Sequence, residues 1–338
     1  MANQPDIGDV HVDTLLTQVS IGYNPGGHLA DQCFPVVGVD KQSDIYLKYN
    51  KSFWARDEGR PAAATSADRT LRAPGTNAAT VGFTVDKTNS YFCLNHALGI
   101  EIPDELIANA DAVFDLEADA TKLVTSLIRL RRDRMFVADF MKTSVWKTDQ
   151  TISNKWSDYG ASTPIEDMRT AYRTIRRQTL AHPDGKILVV MGALVWDRLA
   201  DHPDLLDRIK YTERGIAAPA LLASLLSTAA QYPVEVLVGN SVFTADEEGG
   251  TAEASITYSD VWDDDVLMIW VPNTPSRMAP SAGYTFVWRP MVGGGGAIEF
   301  IRRVREERPR KTIIESHSYV DQVAVLTDAG VYMDDAVD

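Results

Sequence analysis

Cysteine is nearly absent from this sequence. Cys33 and Cys93, each beside a phenylalanine, are the only two in 338 residues. That excludes a disulfide framework and predicts two buried free thiols. No run approaches the roughly 18 to 20 apolar residues that a spanning helix needs. The opening Met-Ala-Asn-Gln-Pro-Asp lacks a basic n-region and an apolar h-region, so the expectation is a protein made and kept in a cytosol. Positive charge is in deficit: 33 Lys and Arg against 47 Asp and Glu, a net of −14. A dedicated nucleic-acid binder needs a cationic surface, so that class is disfavoured.

The chemistry-bearing motifs are missing too. The six histidines are scattered, and none sits at metal-ligand spacing from another or from a cysteine. His182-Pro183-Asp184 and His202-Pro203-Asp204 each read as a turn or helix stop. Asp263-Asp264-Asp265 reads as a solvated turn. Gly293-Gly294-Gly295-Gly296 is followed by Ala297-Ile298-Glu299, not by the Lys-Ser/Thr of a phosphate loop. No Gly-x-Ser-x-Gly elbow marks a serine nucleophile. The reading is no catalytic residue, no cofactor and no metal.

What is present is an uneven charge distribution. Residues 1–40 hold five acids and no Lys or Arg; residues 41–98 hold eight basic groups against five acids; residues 186–290 hold seven against fourteen. A positive segment in an acidic chain suits contact with acidic surface on another copy, or is clustering on solvated faces. The run Arg302, Arg303, Arg305, Arg308, Arg310 and Lys311 is broken by Glu306 and Glu307. Mixed signs suit register-fixing salt bridges to a protein neighbour better than phosphate tracking; the alternative is an exposed loop between strands.

Along the chain, residues 1–40 read as an extended arm, with a helical turn or two at Asp13–Val19 and a short extended piece at Cys33–Val39. Residues 41–98 read as two strand-like flanks, around Asp44–Tyr49 and Thr80–Val85 continuing to Ser90–Asn95. The polar tip from Arg56 to Asn77 has almost no large apolar group to offset its ordering entropy. From Asp115 to Met141 the positions Leu116, Ala120, Leu123, Leu127, Leu130, Val137 and Met141 predict a long helix with one buried stripe, interrupted by Arg134. Such a helix is about 40 Å long and serves as a spine. Arg129, Arg131, Arg132 and Arg134 crowd its second half, where cations favour the helix dipole. Thr163-Pro164-Ile165-Glu166 is a capping-box pattern opening a second helix to about Leu180. From Lys186 a mixed α/β unit follows, with strands at Ile187–Met191, Val234–Val238 and Val266–Val271 and helices at Leu194–Leu199 and Leu221–Ala229. An aromatic strand at Gly283–Trp288 and a last strand ending near Ala329-Gly330 close the chain.

Trp262-Asp263-Asp264-Asp265 leading into Val266–Pro272, then Pro280–Trp288 and Ile314–Asp321, resembles the C-terminal half of tailed-phage major capsid proteins. Asp13–Thr17 through Asp31–Val37, Val195–Tyr211 and Val236–Ser241 resemble other phrases of that family, in its order. The resemblance implies an α+β fold, the Hong Kong ninety-seven-like capsid fold: N-terminal arm (1–40), extended β-loop (41–98), peripheral domain with a long spine helix (99–185 and 291–338) and α/β axial domain (186–290). It implies a structural major capsid protein, not an enzyme, self-assembling into hexamers and pentamers of an icosahedral head that encloses double-stranded DNA. The packaged DNA is met by non-specific proximity only. Scaffolding, portal and decoration or cement proteins are further implied partners, no membrane is involved, and the location is the virion after assembly in host cytoplasm. Expected inter-subunit contacts are Arg56, Asp57, Glu58, Arg60, Arg69 and Arg72 in the loop, Arg129, Arg131, Arg132 and Arg134 on the spine, and Arg302, Arg303, Arg305, Arg308, Arg310 and Lys311 near the end. Lys48 or Lys51 is the candidate for a covalent link of the kind some members make. Two alternatives stand beside it: an encapsulin-like compartment shell, and a soluble two-domain α/β enzyme.

Overall fold

The computed structural model describes residues 27–49, 51, 55, 70–78, 80, 82, 84–109, 115–209, 218–230, 232–246, 255–276, 279–293 and 297–338. Its strands in chain order are β1 (Val36–Val39), β2 (Ser43–Ile45), β3 (Lys48–Tyr49), β4 (Val85–Asp86), β5 (Ser90–Phe92), β6 (Leu94–Pro103), β7 (Thr148–Thr151) and β8 (Lys186–Gly192). They continue with β9 (Val234–Gly239), β10 (Val242–Phe243), β11 (Ser259–Asp260), β12 (Val266–Val271), β13 (Gly283–Trp288), β14 (Glu299–Glu306), β15 (Lys311–Ala324) and β16 (Gly330–Asp334). The two thiols are free and buried, as expected.

The spine helix runs Leu116–Phe140, with the Asp115 side chain accepting the Ala118 amide at its start. It lies against a sheet whose trunk is β15. That strand pairs with β6 along residues 311–320, and on its other edge with β14 and then β13, which carries β1 in parallel. In β15 the buried side chains alternate as Thr312, Ile314, Ser316, Ser318 and Val320. The buried positions on the helix are Ala120, Thr121, Val124, Thr125, Ile128, Arg132, Asp133, Phe136 and Phe140. Small and polar groups thus fill much of this contact, and the Thr121 and Thr125 hydroxyls bond back to carbonyls one turn earlier. Of the predicted stripe, Ala120 and Met141 are buried and Leu116, Leu130 and Val137 pack against the core, whereas Leu123 and Leu127 face outward. Leu123 and Leu127 are 52% and 40% exposed.

The second sheet has the order β7-β16-β12-β8-β9. β8 and β12 are continuous apolar runs because both their faces are covered, β12 being buried from Val266 to Val271. Helix Pro164–Gln178 presents Ile165, Met168, Ala171 and Ile175 to the core, and helix Pro219–Ala230 presents Leu222 and Leu226. Thr163 makes no side-chain cap; its backbone carbonyl takes the Glu166 and Asp167 amides instead, so the expected capping box is not formed. The two His-Pro-Asp tripeptides share one local device: each histidine Nδ1 accepts the amide of the aspartate two residues on. After His202, however, Pro203 starts a further helix, Pro203–Ile209, rather than ending one.

The main core joins the α/β sheet to the C-terminal half of the spine and to residues 29–34, and the strands of the spine sheet bury smaller clusters of their own. Phe34, Phe136 and Phe140 stack edge-on or tilted at 5.0–5.2 Å, and Phe136 meets Trp262 at 5.7 Å. The sheets also divide the chain differently from the expected limits. β13, placed within 186–290, pairs in the spine sheet, whereas β7 and the C-terminal β16 pair in the α/β sheet. The last expected strand is two strands: β15 ends at Ala324, and Gly330 begins β16 against β12. Pairing partners decide this, and strand periodicity carries no information about partners.

Candidate functional site

The residues that hold the molecule's parts together converge on the spine at Arg132 and Asp133. Asp133 caps the short helix Ala30–Cys33 by accepting the Leu29 and Ala30 amides at 3.1 and 2.9 Å. Its other oxygen takes Ser241 Oγ at 2.9 Å and lies 2.6 Å from His28 Nδ1. Ser241 in turn receives the indole N–H of buried Trp262 at 2.9 Å. One buried carboxylate therefore joins the N-terminal segment, the spine and the α/β unit. Burial, with Asp133 and Asp31 adding to it, pushes the neighbouring Cys33 thiol well above its ordinary value.

Arg132 points the other way along the same turn. It is 3% exposed and bonds Asp31 at 2.7 Å, Glu299 at 2.8 Å and Ser318 Oγ at 3.3 Å. Burial opposes its charge, but Asp31 and Glu299 outweigh it and hold the guanidinium protonated. Arg129 adds a second pair to Glu299 at 2.6 Å. Arg129 and Arg132, expected as contacts between subunits, are thus engaged inside one. Neither Asp133, His28, Ser241 nor Glu299 was singled out from the sequence; His28 and Asp133 are 105 positions apart, and no local motif links them.

The other expected contact residues fall into three groups. Arg303 pairs with Glu117 at 2.6 Å, Arg305 with Asp104, and Lys311 with Glu101 and Glu306 at 2.6 and 3.4 Å. These pairs staple the β14–β15 hairpin to β6 and the spine rather than leaving a free basic loop. Arg72, Arg131, Arg134, Arg308 and Arg310 are exposed, and Arg302 is half-buried. Arg134 lies 4.1 Å over the Phe243 ring, and Arg72 donates to the Thr76 carbonyl. Arg56, Asp57, Glu58, Arg60 and Arg69 lie outside the described residues.

The loop between β1 and β6 is described as two short antiparallel ladders, β2 with β5 and β3 with β4. Ile45, Leu47, Leu71 and Phe92 are exposed on it. Past both ladders the loop is tied back to the body where Lys51 meets Asp328 and, at 2.5 Å, Gln178. Lys147 reaches the same Asp328 at 3.1 Å. Beside this tie is a mostly apolar groove of about 860 Å³ lined by Val39, Tyr46, Tyr91, Tyr284 and Leu326. At the far end of the α/β sheet, Asp265 is half-buried, accepting the Tyr332 hydroxyl at 2.7 Å and the Asp335 amide at 3.0 Å. Burial raises its carboxyl above the ordinary aspartate value. The expected solvated turn is therefore a fastener for the C-terminal strand.

No family model matches the chain. It is 26% identical over 317 residues to the major capsid protein of Burkholderia phage BcepMu, covering 88% of this chain and 92% of that protein. Among solved structures, a phage-related protein from Bordetella bronchiseptica RB50 superposes with a TM-score of 0.67 at 20% identity, over 97% of this chain and 98% of that one. The capsid of Myoviridae phage XM1 superposes with a TM-score of 0.53 at 11% identity, over 92% of each chain. A spine helix on a β15-centred sheet, joined to an α/β unit and with a two-stranded loop between β1 and β6, is the tailed-phage capsid fold. Over most of its length the chain is thus similar to phage major capsid proteins.

Proposed function

We propose that copies of this chain associate into hexamers and pentamers that close an icosahedral head around double-stranded DNA, and that the chain performs no catalysis. One observation carries the self-association: large apolar side chains, Ile45, Leu47, Leu71 and Phe92, stand exposed on the described part of the loop between β1 and β6. A two-stranded ladder is marginal by itself and gains stability by lying on a neighbour. In this reading residues 1–40 are the arm, 41–98 the extended loop, the β15 sheet and spine the peripheral domain, and the β12 sheet the axial domain. The loop cations Arg56, Arg60, Arg69 and Arg72 and the hairpin cations Arg302, Arg308 and Arg310 meet the acidic α/β surface of other copies, with Asp57 and Glu58 completing pairs. Scaffolding, portal and decoration proteins are the remaining partners, met in the host cytoplasm. The net charge of −14 suits a wall against which packed DNA slides without sticking.

Negative-stain electron microscopy with light scattering tests this on the purified protein, co-expressed with its neighbouring genes. Closed particles or rings of five or six are expected. Deletion of residues 57–75 is expected to leave a folded subunit that forms no closed shell. A protein that stays monomeric under co-expression, or normal shells from the deletion, would overturn the reading.

A further inference from the structure

Tyr332 stands between two carboxyl groups. It is buried in β16, opposite Leu267 of β12, and its hydroxyl oxygen lies 2.7 Å from Asp265 Oδ2 and 3.1 Å from Asp334 Oδ1. Asp334 follows Tyr332 by two positions and shares its face of the strand, while Asp265 enters from the turn before β12. A phenol has a single proton to donate. With both carboxyls ionised it can serve only one of them, and the other sets its lone pairs against the lone pairs of the phenol oxygen.

One added proton completes the set. Asp265 then donates to the Tyr332 oxygen, and the Tyr332 hydroxyl donates to Asp334. The half-buried Asp265 is the group that takes the proton, because Asp334 is exposed and water holds its charge. Asp265 Oδ1 accepts the Asp335 amide at 3.0 Å and is left free to do so in both states.

The surrounding charges push the same way. Burial raises the Asp265 carboxyl and the charges of Asp334 and Asp263 add to it, against the lowering by the Asp335 amide and the Tyr332 hydroxyl. Asp264 is raised as well, by burial first and then by Asp265, Asp263 and Asp335. The neighbouring lysine, Lys155, is engaged with Asp335 and Asp338 at 2.6 and 2.8 Å. Opposite Tyr332 on β7 is a further acid, Asp149, which accepts the Ser144 amide at 2.7 Å.

We infer that Asp265, Tyr332 and Asp334 form a proton-operated latch on the C-terminal strand. A bound proton closes the chain of hydrogen bonds from the turn before β12 to the end of β16, and its loss loosens residues 332–336. β16 lies between β12 and β7. Just beyond it the Ala336 amide donates to the Asp264 carbonyl, and the Trp156 amide donates to the Ala336 carbonyl, so the loosening reaches both flanks. A carboxyl raised in the folded state contributes stability that is full below its unfolded value, near pH 4, and is lost as pH rises through the folded one. The latch is therefore tighter in mild acid than at neutral pH. It belongs to the single folded subunit and does not depend on shell closure.

Hydrogen exchange of the full-length protein tests it, read at the Asp335 and Ala336 amides and corrected for intrinsic rate. Protection is expected to fall about threefold or more from about pH 5 to about pH 8. Asp334→Asn is the decisive variant: its amide can donate to the Tyr332 oxygen while Tyr332 donates to ionised Asp265, so no added proton is needed. Asp265→Asn completes the chain from the other end, with its Oδ1 still accepting the Asp335 amide. Each is expected to keep, at the upper pH, the protection that the native protein has at the lower one. Asp263→Asn removes a charge from the turn but leaves the chain as it is, and is expected to retain most of the slope. Native protection that is flat, or that rises, over this range would overturn the latch. So would an undiminished slope in Asp334→Asn, which would leave the burial of Asp265 as the whole cause.

Discussion

Replacing Arg132 by methionine is the sharpest perturbation of the joint between arm, spine and β14. The side chain is 3% exposed, and its removal leaves Asp31 without its guanidinium and Glu299 with Arg129 alone. Breaking a buried ion pair from one side costs about 3 to 5 kcal/mol, because the surviving charge stays desolvated. Glu299 retains one partner and Asp31 is partly exposed, so the lower end, about 3 kcal/mol, applies here. With a urea slope of about 3 kcal/mol per molar for a chain of this size, the midpoint of free subunits should fall by about 1 M. Glu299→Gln in the same background should recover part of that loss, giving a coupling on the order of 1 to 2 kcal/mol in a double-mutant cycle. Arg132→Lys should remain impaired, since one ammonium does not reproduce a fork that reaches Asp31, Glu299 and Ser318. An unchanged midpoint for Arg132→Met, or strict additivity in the cycle, would refute the account of a coupled buried network.

The tether between Lys51 of the extended loop and Asp328 should respond to pH. Burial works against the charge on Asp328, but Lys51 and Lys147 outweigh it and hold the carboxyl below the usual aspartate range. A depressed folded-state value means stability that is present above the unfolded value, near pH 4, and lost as pH falls through the folded one. Hydrogen exchange in residues 43–51, corrected for intrinsic rate, should therefore be steady from pH 8 to 5 and rise below about pH 4. Asp328→Asn should show fast exchange already at pH 7, and wild-type-like exchange in that variant would contradict the tether. Gly192→Ala should abolish soluble folded protein, because its Cβ would fall 1.7 Å from the Trp262 carbonyl oxygen and 2.2 Å from that of Asp263. Gly82→Ala, with nothing within 4 Å, should shift the urea midpoint little; equal midpoints for the two variants would show that strand β8 and the Trp262 turn can separate freely.

Where backbone period and composition decide structure, the sequence was enough. Ile187–Met191 and Val266–Val271 are apolar without interruption, and both are interior strands. The spine's extent also followed from local pattern, within one residue at each end. Its buried face followed only in part: Ala120 and Met141 are buried and Leu116, Leu130 and Val137 pack on the core, but Leu123 and Leu127 do not. Leucine spacing marks an apolar stripe, but beside Ala120, Ile128 and Ile314 the buried face also holds threonines, serines and Arg132, which hydropathy scores as surface. The arginines of residues 129–134 and 302–311 show the same limit. Their charge was legible; whether each partner lay within the subunit was not, because Glu299, Glu117, Asp104 and Glu101 are distant in sequence.

By itself, then, the sequence determined the order of elements, the absence of a disulfide framework and the split between a basic loop and an acidic α/β unit. Those properties depend on neighbours along the chain or on sums over it. Only the tertiary structure decided that β16 joins β12, that β13 belongs beside β15, and that Asp133 fastens residues 27–33 to two other parts of the molecule. These depend on which groups meet across long loops. A buried carboxylate or an unpaired strand edge fixes only the need for a partner, and several segments of this chain could have met it.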